Sequence, residues 1–416
     1  MDTIVLYFSN LRDLLSNHPL FSVGILLVAG FFIGRLAGKV KLPEITGFIV
    51  AGLIMGEAVT GIVPSHMNES LQIVTEVALG LIALTIGSEF YLAKLKKLGK
   101  DIILITLVQL IVTFSVVTIA LLIFKLELPY ALLLGAVATA TAPAATVAIV
   151  QSLRARGLFI DYLYGVVALD DVGCVLIFGI IFAVVSGMLG GGGDHAGYVQ
   201  ILHALLEIGF SICIGFVNGF LIHVATFRRK NSNEILIITL GLLFVFTAVA
   251  IVFHLSPLLM NMMAGAVLIN ISSKNQKLFR ILEPLTPPIY ALFFVLAGLE
   301  LQPAVIFQGN VLILGSVYII ARAAGKYSGV FAGGLITGTQ PAIRKYLGFC
   351  MLPQAGVAIG LILLIQVSPI MDVIPANSKT IIYNMVNIVL LSVFINELVG
   401  PPLSRFAVIK GNEMEE

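Results

Sequence analysis

The chain has 416 residues, of which 59% are hydrophobic and only 11% charged, and its mean hydropathy is +1.07. A soluble globular domain carries about 25% charged residues. The composition therefore excludes a soluble particle, and the long apolar runs indicate membrane helices rather than a barrel. A net charge of +2 is too small to point to nucleic acid or to an acidic partner.

The opening stretch "DTIVLYFSNLRDLL" reads as a short amphipathic segment at the membrane interface. It lacks a basic start followed by a cleavable apolar core, so no removable leader is expected. Thirteen apolar spans follow, at about 19–39, 45–63, 70–90, 101–124, 129–150, 160–187, 199–224, 234–253, 256–271, 281–300, 310–336, 345–367 and 379–400. The longest polar connection, "SGMLGGGGDHAGY", reads as a flexible outer linker rather than a phosphate cradle. Neither it nor any other stretch reads as a soluble regulatory domain. The three cysteines, Cys174, Cys213 and Cys350, lie inside apolar runs without metal-site spacing and are expected to be buried packing residues.

Basic residues test the span count independently. Loops after odd-numbered spans hold 19 of the 24 Lys and Arg, whereas the opposite side holds only Arg12, Lys125 and Lys379. The positive-inside rule then places the N-terminus outside and the C-terminus in the cytoplasm, as expected for a multi-pass protein of the cell (inner) membrane.

Segments recur along the chain. "APAATVAI" around Pro143 in span 5 resembles "LPQAGVAI" around Pro353 in span 12. "FIVAGLIMGE" in span 2 resembles "MMAGAVLINIS" in span 9, and "LTIGSEF" ending span 3 resembles "VLAGLEL" ending span 10. Each pair is seven spans apart, an odd offset, so spans 1–6 (residues 19–187) and spans 8–13 (residues 234–400) form an inverted-topology repeat. Span 7, residues 199–224, is the linker. The expected fold is an all-α polytopic membrane protein of 13 transmembrane helices, with two broken helices crossing. Inverted repeats with interrupted helices are the architecture of secondary transporters, with the substrate site at the breaks. A proline removes a helical hydrogen bond, and the freed backbone groups are tolerated at depth only where they line a cavity or find partners. Pro143, Pro353, Thr141 and Gln354 fit that setting.

Span 6, "LYGVVALDDVGCVLIFGIIFAVV", carries Asp170 and Asp171 about 15 Å from its cytoplasmic end at ~1.5 Å per residue. Carboxylates at that depth are costly and mark ion pathways or proton relays. Neighbours on a helix diverge by about 100°, so one faces a partner and the other a cavity. Span 11 places Lys326 at the same depth, with Arg322 four residues away on the same face, as candidate charge partners. Glu76, Glu89, Glu300, Asn396 and Glu397 lie in or at the ends of spans and are secondary candidates, open to capping or packing instead.

Together, "GAVATATAPAATVAIVQSLRARG", "ALDDVG", "ALFFVLAGLEL", "ARAAGKYSG" and "LPQAGVAIGL" resemble the monovalent cation:proton antiporters, in the sodium/proton branch with paired aspartates. The resemblance spans essentially the whole chain. It implies a homodimer with a dimerisation domain and a mobile six-helix core, and the soluble nucleotide-sensing domain of the potassium-efflux relatives is not expected here. It also implies that Asp171 binds the proton or the metal cation, that Asp170 pairs with Lys326, and that Thr141 and nearby backbone complete the ion site. One departure is that the chain has the Thr141 region where the best-known member carries a further aspartate. The implied activity is electrogenic exchange of Na⁺ for H⁺ by alternating access, with Li⁺ and K⁺ as further candidate ions. The implied partners are the lipid bilayer and these ions, with no cofactor and no nucleic acid. A sodium-coupled symporter of an organic anion remains the alternative. A channel would not account for paired broken helices, and two carboxylates adjacent on one helix do not fit an aspartyl protease.

Overall fold

A computed structural model describes residues 18–39, 44–64, 67–88, 90–92, 99–142, 146–147, 149–150, 153–190, 196–253, 255–272, 275–306, 308–368 and 370–413. Helices α1 (Pro19–Lys39), α2 (Glu44–Met55), α3 (Met67–Ser88) and α4 (Lys100–Ile123) lead to α5 (Leu128–Ala138). They are followed by α6 (Leu158–Gly190), α7 (Ala196–Thr226), α8 (Ser232–Val252) and α9 (Pro257–Ile271). Helix α10 (Gln276–Leu299) contains a tightened turn at Glu283–Leu285. Then come α11 (Gly309–Ile336), the bent α12 (Pro341–Met351, then Gly356–Val367) and α13 (Ala376–Glu413).

Local chemistry explains several of these starts. Asn231 accepts a hydrogen bond from the Asn233 amide at the head of α8 (2.9 Å), and Ser256 accepts one from Leu259 at the head of α9 (3.3 Å). Proline occupies the first turn of α5, α9 and α12, where its missing N–H costs nothing.

Among the described residues, eight helices are long and apolar enough to cross a membrane, or nine if the bent α12 is one span. Helices α2, α5 and α9 are apolar but shorter, with 12, 11 and 15 residues. About 20 residues bridge a hydrocarbon core directly. The protein is thus an all-α, multi-pass membrane protein.

Two expectations need correction. The last helix does not stop at residue 400; it runs through Pro401 and Pro402 to Glu413. Two consecutive prolines remove only the hydrogen bonds of their own amides, and packing carries the helix past them. Cys213 is exposed on the outer face of α7, in line with Phe210, Phe216 and Phe220, whereas Cys174 and Cys350 are buried as expected. An apolar exterior accommodates a thiol as readily as a core does.

Glycines set the closest helix crossings. On α11, Gly325, Gly329 and Gly333 recur every fourth residue, and a Cβ on them would come within 2.8, 2.6 and 2.8 Å of the Cα atoms of Thr113, Gln109 and Ile105. Helices α4 and α11 therefore meet backbone to backbone, as small residues permit in membranes. Gly52 of α2 meets Gly298 of α10, and Gly265 of α9 meets Gly87 of α3, in the same manner.

Candidate functional site

The α4–α11 seam delivers two polar side chains to one point on α6. Lys326 Nζ of α11 lies 3.0 and 3.1 Å from the two carboxylate oxygens of Asp170, with both residues fully buried. From α4, Gln109 Nε2 donates to Asp170 Oδ1. Lys326 also donates to the Thr139 carbonyl, just past the end of α5. The ammonium is thereby shared between a carboxylate and a broken helix end, which carries partial negative charge.

The next residue faces elsewhere. Asp171 is half-buried and within electrostatic reach of Tyr290 on α10. Asp170 is thus the fully buried member of the pair and Asp171 the partly exposed one.

The chain is broken where the prolines imply. Helix α5 ends at Ala138, residues 140–142 are not helical, and Pro143 lies outside the described residues. The two parts of α12 are separated by Leu352–Ala355 and bent by 47°, with Pro353 inside the break. The breaks touch: the Ala142 amide donates to the Pro353 carbonyl (2.9 Å), and Thr146 Oγ1 to the Cys350 carbonyl (3.1 Å). The Thr141 side chain is buried, and its hydroxyl has no hydrogen-bond partner among the described residues.

Arg322 does not pair with a carboxylate, contrary to its expected place as a charge partner. Lys326 pairs with Asp170, and the exposed Arg229 with Glu234. Arg322, fully buried, instead donates to the carbonyls of Ala138 (3.1 Å), Ala140 (2.7 Å), Leu352 (2.7 Å) and Pro353 (3.4 Å). One turn along α11 from Lys326 displaces it by about 6 Å, to where both breaks leave carbonyls without helical donors. A guanidinium with five N–H groups is the side chain that can serve them all. The carbonyl ends of both breaks therefore already hold an internal cation.

Gln354 likewise turns to protein. Its Nε2 reaches the Tyr318 hydroxyl (3.2 Å), and its Oε1 accepts from Ser392 (3.0 Å) and Asn396 (3.1 Å) of α13. Sequence reasoning missed Gln109. The signal was present as a lone amide in an apolar span opposite the glycine series of α11. No group of three His, Cys, Asp or Glu side chains that could hold a resident metal occurs among the described residues.

The model of a protein family described as "Sodium/hydrogen exchanger, transmembrane" matches residues 23–405. The chain belongs to the sodium/hydrogen exchanger family. Members of this family are transporters rather than enzymes, and their ions are substrates that need no cofactor. The exchanger is 26% identical to the high-affinity Na⁺/H⁺ antiporter NhaS3 of Synechocystis, over 96% of this chain and 92% of that protein. It is 25% identical to the ammonium/H⁺ antiporter subunit AmhT of Alkalihalophilus pseudofirmus, over 66% of this chain and 69% of that one. Its fold matches the sodium proton antiporter MjNhaP1 of Methanocaldococcus jannaschii with a TM-score of 0.75, at 17% identity, covering 94% and 98% of the two chains.

Proposed function

We propose that this exchanger moves Na⁺ against H⁺ by alternating access, with Asp171 as the group that holds either ion but not both. The observation that carries the reading is the division of labour in the aspartate pair. Asp170 is sealed against Lys326 and Gln109, while its neighbour Asp171 faces away from that pair and is only partly buried. The Thr141 hydroxyl and nearby backbone oxygens would complete a hard, oxygen-only cation site. Li⁺ and K⁺ are further candidate substrates. The similar proteins are antiporters of Na⁺ and of ammonium, which favours exchange over sodium-coupled uptake of an organic anion.

We further propose that Lys326 releases a proton when Na⁺ enters, so that two protons move per sodium ion and exchange is electrogenic. The direct Lys326–Asp170 contact supports this coupling. Counting α2, α5, α9, α11 and the bent α12 as crossings gives the thirteen spans of the sequence, with the N-terminus outside and the C-terminus in the cytoplasm of an inner membrane. Paired crossings support the inverted repeat: Gly52–Gly298 and Gly265–Gly87 exchange with each other under the seven-span offset. A homodimer completes the proposed assembly.

Na⁺-driven proton movement in sealed vesicles tests the assignment. Apparent Na⁺ affinity should weaken as pH falls, because protons compete for the same carboxylate, and Asp171→Asn should abolish exchange in a folded protein. Retained exchange in that variant, or an affinity independent of pH, would overturn it.

A further inference from the structure

Glu397 on α13 is a buried carboxylate to which exchange at Asp171 gives no task. It is 2% exposed, and its Oε1 has no hydrogen-bond partner among the described residues. From sequence its span ends at residue 400, whereas the structure continues the helix and sets this turn beside the α12 break. Asn396 beside it bonds Gln354, and Gly400, one turn on, lies so close to the α12 break that a Cβ there would sit 2.9 Å from the Pro353 Cα. Pro401 has no N–H, so the Glu397 carbonyl also lacks its helical donor. An ionisable residue in such a place is by default functional.

The groups around it single out one partner. Arg322 of α11 acts on Glu397 electrostatically. On the same helix, Lys326 is bound to Asp170, and the Tyr318 hydroxyl to Gln354. From α6, Asp170 is held by Lys326 and Gln109, and Asp171 lies towards Tyr290. The first part of α12 brings Cys350 to the Ser404 carbonyl and Tyr346 to the Phe406 ring, further along α13, with Arg344 and Lys345 at its start. Its second part has no ionisable residue, and α5 has only Tyr130. Arg322 has five N–H donors, and four bonds to carbonyls leave one of them uncommitted.

We propose that Glu397 is a second proton-binding site of the exchanger, which governs how firmly Arg322 holds the carbonyls of the two breaks. The proposal rests on the exchange reading. Protonated Glu397 is neutral and leaves the guanidinium on its four carbonyls. On deprotonation the O–H bond breaks, the proton passes to the aqueous phase, and the carboxylate takes the uncommitted N–H and draws the guanidinium towards α13. The long bond to Pro353 yields first, and its carbonyl oxygen becomes available to the cation. Deprotonation at Glu397 thus strengthens Na⁺ binding at alkaline pH, in addition to the competition at Asp171.

The test is the apparent Na⁺ affinity of vesicle exchange across pH for wild type, Glu397→Gln and Glu397→Asp, with Asp171→Asn alongside. Glu397→Gln should match wild type at acid pH, bind Na⁺ about tenfold more weakly at alkaline pH, a difference of about 1.4 kcal/mol, and show a shallower pH curve. Glu397→Asp should restore the alkaline limb. An affinity unchanged in Glu397→Gln, or lowered equally at every pH, overturns the proposal and leaves Glu397 as a packing or fixed counter-charge residue. If Glu397→Gln does not accumulate, infrared difference spectra of Asp170→Asn/Asp171→Asn decide. They should retain a pH-dependent protonated-carboxyl band that changes frequency when Glu397→Asp is added, and its absence overturns the proposal. Exchange surviving in Asp171→Asn would instead refute the Asp171 assignment, which the pH curve of the Glu397 variants does not address.

Discussion

Gly329→Ala probes most directly how the helices hold the charged pair. The added Cβ would stand 2.6 Å from the Gln109 Cα, 3.0 Å from its Cβ and 3.1 Å from its carbonyl oxygen. Carbon atoms settle at about 3.5–4.0 Å, so α4 and α11 must part by roughly 1 Å. The obstructing atoms are mainly backbone and cannot rotate away. Overpacking of this kind costs about 1–3 kcal/mol. Gln109 moves with its backbone, which stretches its bond to the Asp170 carboxylate. A hydrogen bond to a charged group contributes about 1.5–3 kcal/mol, so exchange should fall about tenfold or more. Thermal unfolding in detergent and Na⁺-driven proton flux in vesicles measure the two effects. Gly241→Ala is the control, since a Cβ there meets nothing within 4 Å. If Gly329→Ala matches Gly241→Ala in both measurements, the seam does not position the pair and the reasoning fails.

Wild-type exchange should respond to an imposed membrane potential, and Lys326→Gln should remove that response where exchange survives. Wild-type flux indifferent to the potential would reduce Lys326 to a structural ion pair with Asp170. Arg322→Lys keeps the charge but replaces a planar fork by a point cation with three donors, so it should lose both thermal stability and flux. Arg322→Met should cost several kcal/mol of stability, because it leaves four buried carbonyls without this donor, at about 1–3 kcal/mol for each one left unsatisfied. An Arg322→Lys protein as stable and active as wild type would show that the four carbonyls do not depend on the guanidinium.

The sequence made some parts of this architecture readable and hid others for physical reasons. The apolar runs give the helical segments because membrane helices advertise themselves by composition. Depth alone sets Lys326 level with the aspartate pair, since both lie about ten residues into their spans, while the choice of Asp170 as its partner comes from the family resemblance. Arg322 was misjudged because a shared helix face says nothing about what stands opposite, and here that is a set of carbonyls. Those carbonyls come from residues 138–140 and 352–353, and backbone acceptors leave no trace in residue identity. By sequence Glu397 lies in or at the end of the last span, which closes at residue 400, whereas packing carries α13 on through Pro401 and Pro402.

The stitched crossing also has a consequence for biosynthesis. The Ala142 amide waits for the Pro353 carbonyl, and Thr146 waits for a partner 204 residues downstream. At about 5–20 residues per second, the ribosome needs roughly 10–40 s to supply it. During that interval the nascent first half sits in the bilayer with its broken helix and Asp170 uncovered, still without Arg322 and Lys326. Insertion must therefore shelter these groups with water or with the insertion machinery until α11 and α12 arrive. Substitutions at Arg322 or Pro353 should accordingly appear in cells first as rapid turnover of newly made chains, before any defect in the assembled protein can be assayed.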